Sequence, residues 1–152
     1  MWVSILLMVA ALGGLVLALY FTLLYYRILA PASCPSPGGS RGGSSACELV
    51  VFSSYGRLFV LPNSVYALPF YCLVLVAAYL RLFDVASLAG APARLFWDVL
   101  AVSCALSVVM GLYLVHALFF KLRTVCVLCL LGHAINLLIA ILVLVALVSP
   151  SL

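Results

Sequence analysis

Four long runs of apolar residues, separated by shorter polar stretches, dominate the pattern of this chain. They cover residues 2–26, 64–83, 95–120 and 125–148. An α-helix needs about 20 apolar residues to cross the hydrocarbon core of a bilayer, so each run is long enough to be a transmembrane span. With short later connections, the pattern predicts an all-α integral membrane protein, a four-transmembrane-helix bundle formed by one membrane domain over residues 1–152.

The connection between the first two runs breaks this pattern. Proline, glycine and serine are frequent between residues 31 and 45, and such a stretch cannot face lipid because its backbone polar groups would be unsatisfied. Cys34 and Cys47 lie in this connection, with twelve residues between them. Residues 49–61 mix aromatic with polar side chains, which predicts an interfacial segment that caps the bundle. We therefore expect residues 27–63 to form a long first loop that contains a cysteine pair.

The composition supports a membrane location and excludes one class of partner. Hydrophobic residues make up 69% of the chain and charged residues 7%, against about 45–50% and about 25% in soluble domains. The net charge of +4 forms no basic stripe, so nucleic-acid binding has no support. The first run is longer than the apolar region of a signal peptide and follows no basic segment, which predicts a retained span. The lipid bilayer is the first expected partner.

A Cys-x-x-Cys motif stands at the beginning of the fourth predicted helix. Two residues three apart on a helix, here Cys126 and Cys129, project to the same side, and His133 extends that face by one turn. Thr124 is the expected N-cap of this helix. The partial positive charge of a helix start, together with neighbouring basic residues, favours a thiolate at Cys126. The motif indicates a redox-active pair at a membrane surface.

The order of the spans brings the two cysteine pairs to the same side of the membrane. In a four-span chain, the first and third connections emerge on the same side, so the loop pair and the Cys-x-x-Cys pair can meet. The other two cysteines, Cys72 and Cys104, lie within predicted spans, where a cysteine acts as a small apolar residue.

Two general rules disagree about which compartment the cysteine side faces. Basic residues are more frequent on the cysteine side, and the positive-inside rule then favours the cytoplasm. Disulfide chemistry usually occurs in an oxidising compartment outside the cytoplasm. The cysteine side is expected to carry Arg27, Arg41, Arg57, Lys121 and Arg123, and the other side Arg81, Arg94 and the amino terminus. The side stays open, and the loop charges favour a cytoplasm-facing site.

These features together resemble the vitamin K epoxide reductase family, in particular its prokaryotic, quinone-linked branch that forms disulfides. The resemblance covers the four spans, the cysteine pair in the long first loop and the Cys-x-x-Cys that opens the fourth helix. Short segments are also similar to segments of the family: residues 51–54 after the second loop cysteine, residues 63–66 leading to Phe70-Tyr71, and residues 134–136.

The resemblance implies a membrane thiol oxidoreductase with four catalytic cysteines, Cys34, Cys47, Cys126 and Cys129. A reduced thioredoxin-like partner, a separate protein with its own Cys-x-x-Cys, would pass electrons to the loop pair and then to the helix pair by thiol-disulfide exchange. The intermediate between the pairs is expected to join Cys47 with Cys126. Cys129, one turn deeper, would face a quinone of the menaquinone or ubiquinone type.

The family pattern also implies a set of quinone-binding residues. Asn63 and His133 are the expected hydrogen-bond donors to a quinone oxygen, which gains negative charge on reduction. The set includes Ser53 and Ser54, whose hydroxyls serve either a thiolate or a turn of the capping segment, and Tyr71, for which packing in the core is the alternative. His133 is a departure, because animal members of the family carry a tyrosine there.

Two other classes of function are weighed against this interpretation. The four cysteines could bind a structural zinc ion, although the long Gly/Ser-rich gap between the loop cysteines fits poorly with a closed zinc site, and no metal is assigned. A non-enzymatic four-span scaffold, stapled by one loop disulfide, would explain Cys34 and Cys47. It would leave the Cys-x-x-Cys motif and His133 without a role.

Overall fold

The computed structural model describes residues 2–29, 46–82 and 91–148. Within these ranges, four helices are long and apolar enough to cross a membrane: Trp2–Tyr25, Asn63–Leu82, Arg94–Leu122 and Val127–Val148. The prediction of an all-α bundle with four transmembrane helices is confirmed, and the chain is a multi-pass membrane protein.

Shorter elements connect and extend the four long helices. In chain order the α-helices are α1 (Trp2–Tyr25), α2 (Ala46–Phe52), α3 (Asn63–Leu82), α4 (Ala91–His116) and α5 (Val127–Val148). Between α2 and α3 lie a 3₁₀-helix (Ser54–Gly56) and a two-stranded antiparallel hairpin of β1 (Arg57–Leu58) and β2 (Leu61–Pro62). A π-helix (Ala117–Leu122) continues α4.

The third long helix begins earlier than the sequence predicts. The apolar run predicts a span from residue 95, but α4 already begins at Ala91. A proline in the first turn of a helix removes no intrahelical hydrogen bond, because the N–H groups of that turn have no partner within the helix. Pro92 is therefore compatible with the first turn of α4 and does not stop it.

The core of the bundle lies where α1 packs on α3 and on α5. The other side of α5 packs on α4. Small buried residues of α1 let the helices approach closely, as is common in membrane bundles. They are Ala10, Ala11, Gly14 and Ala18. A Cβ atom added at Gly14 would overlap the ring of Tyr71, which is 3% exposed. The contact between α1 and α3 therefore depends on the missing side chain at this position.

The segment from α2 to the hairpin covers one end of the bundle. The rings of Tyr25, at the end of α1, and Phe52, at the end of α2, stack with their centroids 6.0 Å apart. Arg27 lies over Phe52 at 5.4 Å and Arg57 lies over Tyr25 at 5.5 Å. Such cation–π contacts contribute about 0.5–1 kcal/mol each at exposed sites. These four side chains tie the capping segment to the end of α1.

Candidate thiol-disulfide site and adjoining pocket

The third membrane span continues towards the fourth through the π-helix. The carbonyl oxygen of Leu118 accepts the N–H groups of both Arg123 and Thr124, the latter at 3.2 Å. Arg123 has left-handed backbone angles, φ 47° and ψ 41°, and ends the helix. Only residues 123–126 are non-helical before α5. The third span, predicted to end at residue 120, thus extends to Leu122, and π-helices of this kind are frequent at functional sites.

Cys126 caps α5, which begins one residue later at Val127. The Cys126 sulfur accepts the backbone N–H of Cys129 at 3.3 Å, and its carbonyl accepts the N–H of Leu130 at 3.0 Å. A side-chain acceptor for the third helical N–H is the arrangement of an N-cap. The prediction that Thr124 is the cap is wrong, because α5 begins only at Val127 and Thr124 lies three residues before it. The partial positive charge of the helix start therefore falls on the Cys126 sulfur itself.

Two cysteines of the Cys-x-x-Cys motif and one loop cysteine meet at this end of the bundle. Cys126 and Cys129 form a disulfide with their Cα atoms 5.2 Å apart, inside the usual range of about 4.4–6.8 Å. The sulfur of Cys47, on α2, lies 3.4 Å from the sulfur of Cys126, which is a contact and not a bond. Both side chains are completely buried. Cys34, the other predicted loop cysteine, lies outside the described residues.

A pocket adjoins this disulfide on the side of Cys129. The space between its walls amounts to about 860 Å³, and about half of the pocket boundary is open to the surroundings, so this figure includes space outside the protein. Its walls are largely apolar and come from all five α-helices, the 3₁₀-helix, β2 and the π-helix. The polar or chemically active side chains that line it are Tyr55, Asn63, Ser64, Tyr71, Cys129, His133 and Asn136.

One polar pair joins α3 to α5 across the pocket. The hydroxyl of Tyr71 donates a hydrogen bond to the Oδ1 atom of Asn136 at 2.6 Å. Nearer the start of α3, the hydroxyls of Ser64 and Thr22 lie 3.0 Å apart and join α3 to α1. Hydrogen bonds between helices of this kind stabilise membrane bundles because lipid offers no alternative partner.

His133 places its two ring nitrogens in different surroundings. Nδ1 is buried and has no hydrogen-bond partner among the described residues. A Cβ atom added at Gly111 of α4 would stand 3.2 Å from this nitrogen, so Nδ1 packs directly against the backbone of α4. His133 lines the pocket, and Gly111 covers the Nδ1 side of its ring.

The structure brings together some of the predicted ligand residues and separates others. Asn63, Tyr71 and His133 line the same pocket as Cys129. Ser53 instead caps the 3₁₀-helix: its hydroxyl accepts the N–H of Gly56 at 3.1 Å and donates to the carbonyl of Val50 at 2.7 Å. Ser54 is exposed. Neither serine lines the pocket, and their role at a ligand stays a prediction.

Two residues of the pocket region were not assigned to the site from the sequence. Asn136 lies seven residues after Cys129 and three after His133, a spacing that repeats on one face of a helix and could have identified it. Gly111 left no such signal, since its contact with His133 depends on how α4 packs on α5. Within residues 2–29, 46–82 and 91–148, no group of three or more His, Cys, Asp or Glu side chains could hold a metal ion.

Comparison with known proteins places the chain in a family. No curated protein matches it. The family model described as the Vitamin K epoxide reductase family matches residues 5–144, a range that contains both predicted cysteine pairs and the pocket. The predicted resemblance to this family is thereby confirmed at the level of the family, and this chain belongs to the vitamin K epoxide reductase family.

Proposed function

We propose that this protein is a quinone-dependent protein-thiol oxidoreductase of the prokaryotic, disulfide-forming kind. Its family makes it a membrane thiol oxidoreductase. The finer proposal rests on one arrangement: the Cys126–Cys129 disulfide touches Cys47 on one side and lines the pocket through Cys129 on the other. A disulfide in this position can receive electrons from a thiol and pass them to a ligand in the pocket.

The cysteines act as a relay of two dithiol pairs. A thioredoxin-like dithiol reduces the loop pair, Cys34 and Cys47, and leaves as a disulfide. The Cys47 thiolate then attacks Cys126, a Cys47–Cys126 bond forms, and Cys129 departs as a thiolate. Attack by Cys34 on Cys47 closes the loop disulfide and releases Cys126 as a thiolate, which the start of α5 stabilises. The partner has lost two electrons and two protons, and Cys126 and Cys129 are reduced.

The pocket suits an apolar ring with carbonyl oxygens. Bound there, a quinone of the menaquinone or ubiquinone type would supply a two-electron, two-proton acceptor. Cys129 lies at the pocket wall, from which its thiolate can deliver the electrons as the Cys126–Cys129 disulfide re-forms. Asn63 and His133 offer polar N–H groups where an oxygen gains charge, and the apolar walls exclude water, so these hydrogen bonds are strengthened.

We assign the cysteine end to the cytoplasmic side on the basis of charge. Arg27, Arg57, Lys121 and Arg123 all follow or precede helix ends at the cysteine end of the bundle. Basic residues next to membrane spans favour the cytoplasm. An impermeant thiol reagent applied to intact cells, after mild reduction, should leave Cys34 and Cys47 unlabelled. Labelling from outside would reverse the assignment.

The test of the function uses the purified protein in lipid nanodiscs, a reduced thioredoxin-like protein and 2-methyl-1,4-naphthoquinone. We expect quinone reduction that depends on the partner and is abolished by Cys129→Ala. That variant should also accumulate a Cys47–Cys126 disulfide, detectable by peptide mass spectrometry: the Cys126 thiolate attacks the Cys34–Cys47 disulfide and releases Cys34 as a thiolate, and no Cys129 remains to displace Cys47. The control is Cys72→Ala, which replaces an exposed free cysteine on α3 and should keep full turnover. Full turnover by Cys129→Ala would refute the proposal, and a scaffold would show no turnover at all.

A further inference from the structure

The polar residues of α5 that line the pocket form one row. Cys129, His133 and Asn136 follow each other at four and three residues, and all three contribute to the pocket wall. With a rise of about 1.5 Å per residue, Asn136 lies roughly 4.5 Å beyond His133 and roughly 10 Å beyond Cys129 along the helix axis. Asn136 is thus the polar side chain of α5 that lies deepest in the pocket among its described residues.

Tyr71 determines which end of the Asn136 amide is free. Its hydroxyl donates to Oδ1 of Asn136 at 2.6 Å. The Tyr71 ring is 3% exposed and packs against Gly14, where even a Cβ atom would overlap it. Because the ring is confined in this way, the hydroxyl stays directed at Asn136. An asparagine amide has one acceptor oxygen and two N–H donors on its nitrogen, so the engaged oxygen leaves the NH₂ group available.

The NH₂ group of Asn136 is the part that a ligand can reach. It has no hydrogen-bond partner among the described residues. In the described part of the chain, the side-chain polar atom that is both completely buried and unpaired is Nδ1 of His133. The Asn136 nitrogen is unpaired but not completely buried, so a ligand can contact it. A donor left unpaired in an apolar membrane pocket is costly, and a carbonyl oxygen of a ligand would satisfy it.

We propose that Asn136 is a further hydrogen-bond donor to the bound quinone, and that Tyr71 is a positioning residue that directs the Asn136 NH₂ group into the pocket. The inference rests on the proposed function. It assigns the deeper oxygen of the ring to Asn136, while Asn63 and His133 serve the end nearer Cys129. Tyr71, predicted as a ligand residue, then acts through Asn136 and does not touch the ligand itself.

Four variants test the proposal: Tyr71→Phe, Asn136→Leu, the double variant, and Tyr66→Phe as a matched control. Tyr66 is also on α3, and its hydroxyl donates to the carbonyl of Leu58 at 3.2 Å, outside the pocket. Two quantities are measured for each variant. One is the KM and kcat for 2-methyl-1,4-naphthoquinone, and the other is the rise in Tm that the same quinone produces in the oxidised protein.

We expect Asn136→Leu to raise the KM about tenfold and to remove most of the quinone-induced rise in Tm, with a smaller change in kcat. Tyr71→Phe should raise the KM about threefold, because the amide loses its orientation but keeps its donors. The double variant should equal Asn136→Leu within about twofold, since two residues that act as one unit are not additive. Tyr66→Phe should leave the KM and the quinone-induced rise unchanged.

A purely structural bond between α3 and α5 predicts a different result. Tyr71→Phe and Asn136→Leu would then lower the Tm without quinone and leave the KM unchanged, which would overturn the inference. If Asn136→Leu does not fold, Tyr71→Phe carries the same test. If the wild-type protein reduces the quinone and both variants keep the wild-type KM, this inference is refuted while the proposed function is not. A wild-type protein that neither reduces nor is stabilised by the quinone refutes the proposed function and the inference with it.

Discussion

Two buried clusters of this molecule contain cysteine, and they differ in how they are assembled. The first, called the span cluster, lies between the long helices and includes Cys104 with Leu100, Tyr71 and Val74. The second, called the cysteine cluster, lies at the capped end and consists of Leu24, Cys47, Val51, Leu118 and Cys126. Cys104 is 4% exposed and both Cys47 and Cys126 are 0% exposed, so burial hardly distinguishes the three thiol positions.

The comparison shows that neighbours, and not burial, separate a structural cysteine from an exchanging one. Cys104 is free and is surrounded by apolar side chains, where a thiol is inert. Cys126 instead is bonded to Cys129, has the sulfur of Cys47 at 3.4 Å and stands at the start of a helix. The cysteine cluster joins α1, α2, the π-helix and the start of α5, so its geometry depends on several chain segments at once.

The largest contrast is expected between Cys126→Ala and Cys104→Ala. Cys126→Ala should reduce quinone-dependent oxidation of the thioredoxin-like partner to the uncatalysed rate, because the Cys126–Cys129 disulfide that Cys47 attacks cannot form. Cys104→Ala should keep most of the turnover and lose at most about 1–2 kcal/mol of stability. Stopped-flow absorbance of the quinone measures the first effect. Comparable losses of turnover in both variants would remove the distinction between the clusters.

Leucine truncations compare the two clusters with the same change of side chain. Leu118→Ala and Leu100→Ala each open a cavity at a buried position and should destabilise the protein by about 2–5 kcal/mol, measured by equilibrium unfolding. In the Cys129→Ala background, Leu118→Ala alone should also lower the yield of the Cys47–Cys126 disulfide. An equal decrease with Leu100→Ala would show that general destabilisation is the cause.

Glycine substitutions test how closely α1 and α3 pack in the span cluster. Gly14→Ala should destabilise the bundle by about 1–3 kcal/mol, because its Cβ atom overlaps the Tyr71 ring and this ring has little room to move. Gly13→Ala is the matched control, since its Cβ atom would lie 3.8 Å from Cδ1 of Ile135, an ordinary contact distance. Gly13→Ala should change Tm little or raise it. Equal Tm values for both variants would contradict the close approach of α1 and α3.

The smallest expected effect concerns the cap over the cysteine cluster. Ser53→Ala removes the acceptor for the Gly56 N–H and should cost about 1 kcal/mol. Ser54→Ala, at the neighbouring exposed position, should stay within about 0.5 kcal/mol of the wild type. Thermal unfolding in nanodiscs checks both values. If Ser54→Ala raised the KM for the quinone and Ser53→Ala did not, this would support a ligand role for Ser54 and not a role in the turn of the capping segment.

The spans could be predicted from the sequence because their length and apolar character are local properties. Their ends were less predictable. Ala91 and Pro92 resemble a turn but are helical, and the π-helix at Ala117–Leu122 has no signature in its largely apolar stretch. The start of α5 was also predicted too early: the helix begins at Val127, so its N-cap is Cys126 and not Thr124.

The candidate site was predictable where its residues share one helix face. The spacing of Cys129 and His133 places them on one side of α5, and Asn136 continues the same row. The contacts of Gly14 with Tyr71 and of Gly111 with His133 were not predictable. Each glycine meets a residue far away in the chain, and its importance arises only from the distance between two helix axes.

Hydrophobic length and residue spacing are properties of the chain alone, and they were enough to predict four membrane spans, a Cys-x-x-Cys at the start of the last one and a family. Two findings appeared only in the folded bundle. Cys126 touches Cys47 while Cys129 lines the pocket, and Tyr71 donates to the oxygen of Asn136. These contacts join different helices, and which atoms are left unpaired is known only once the helices have packed.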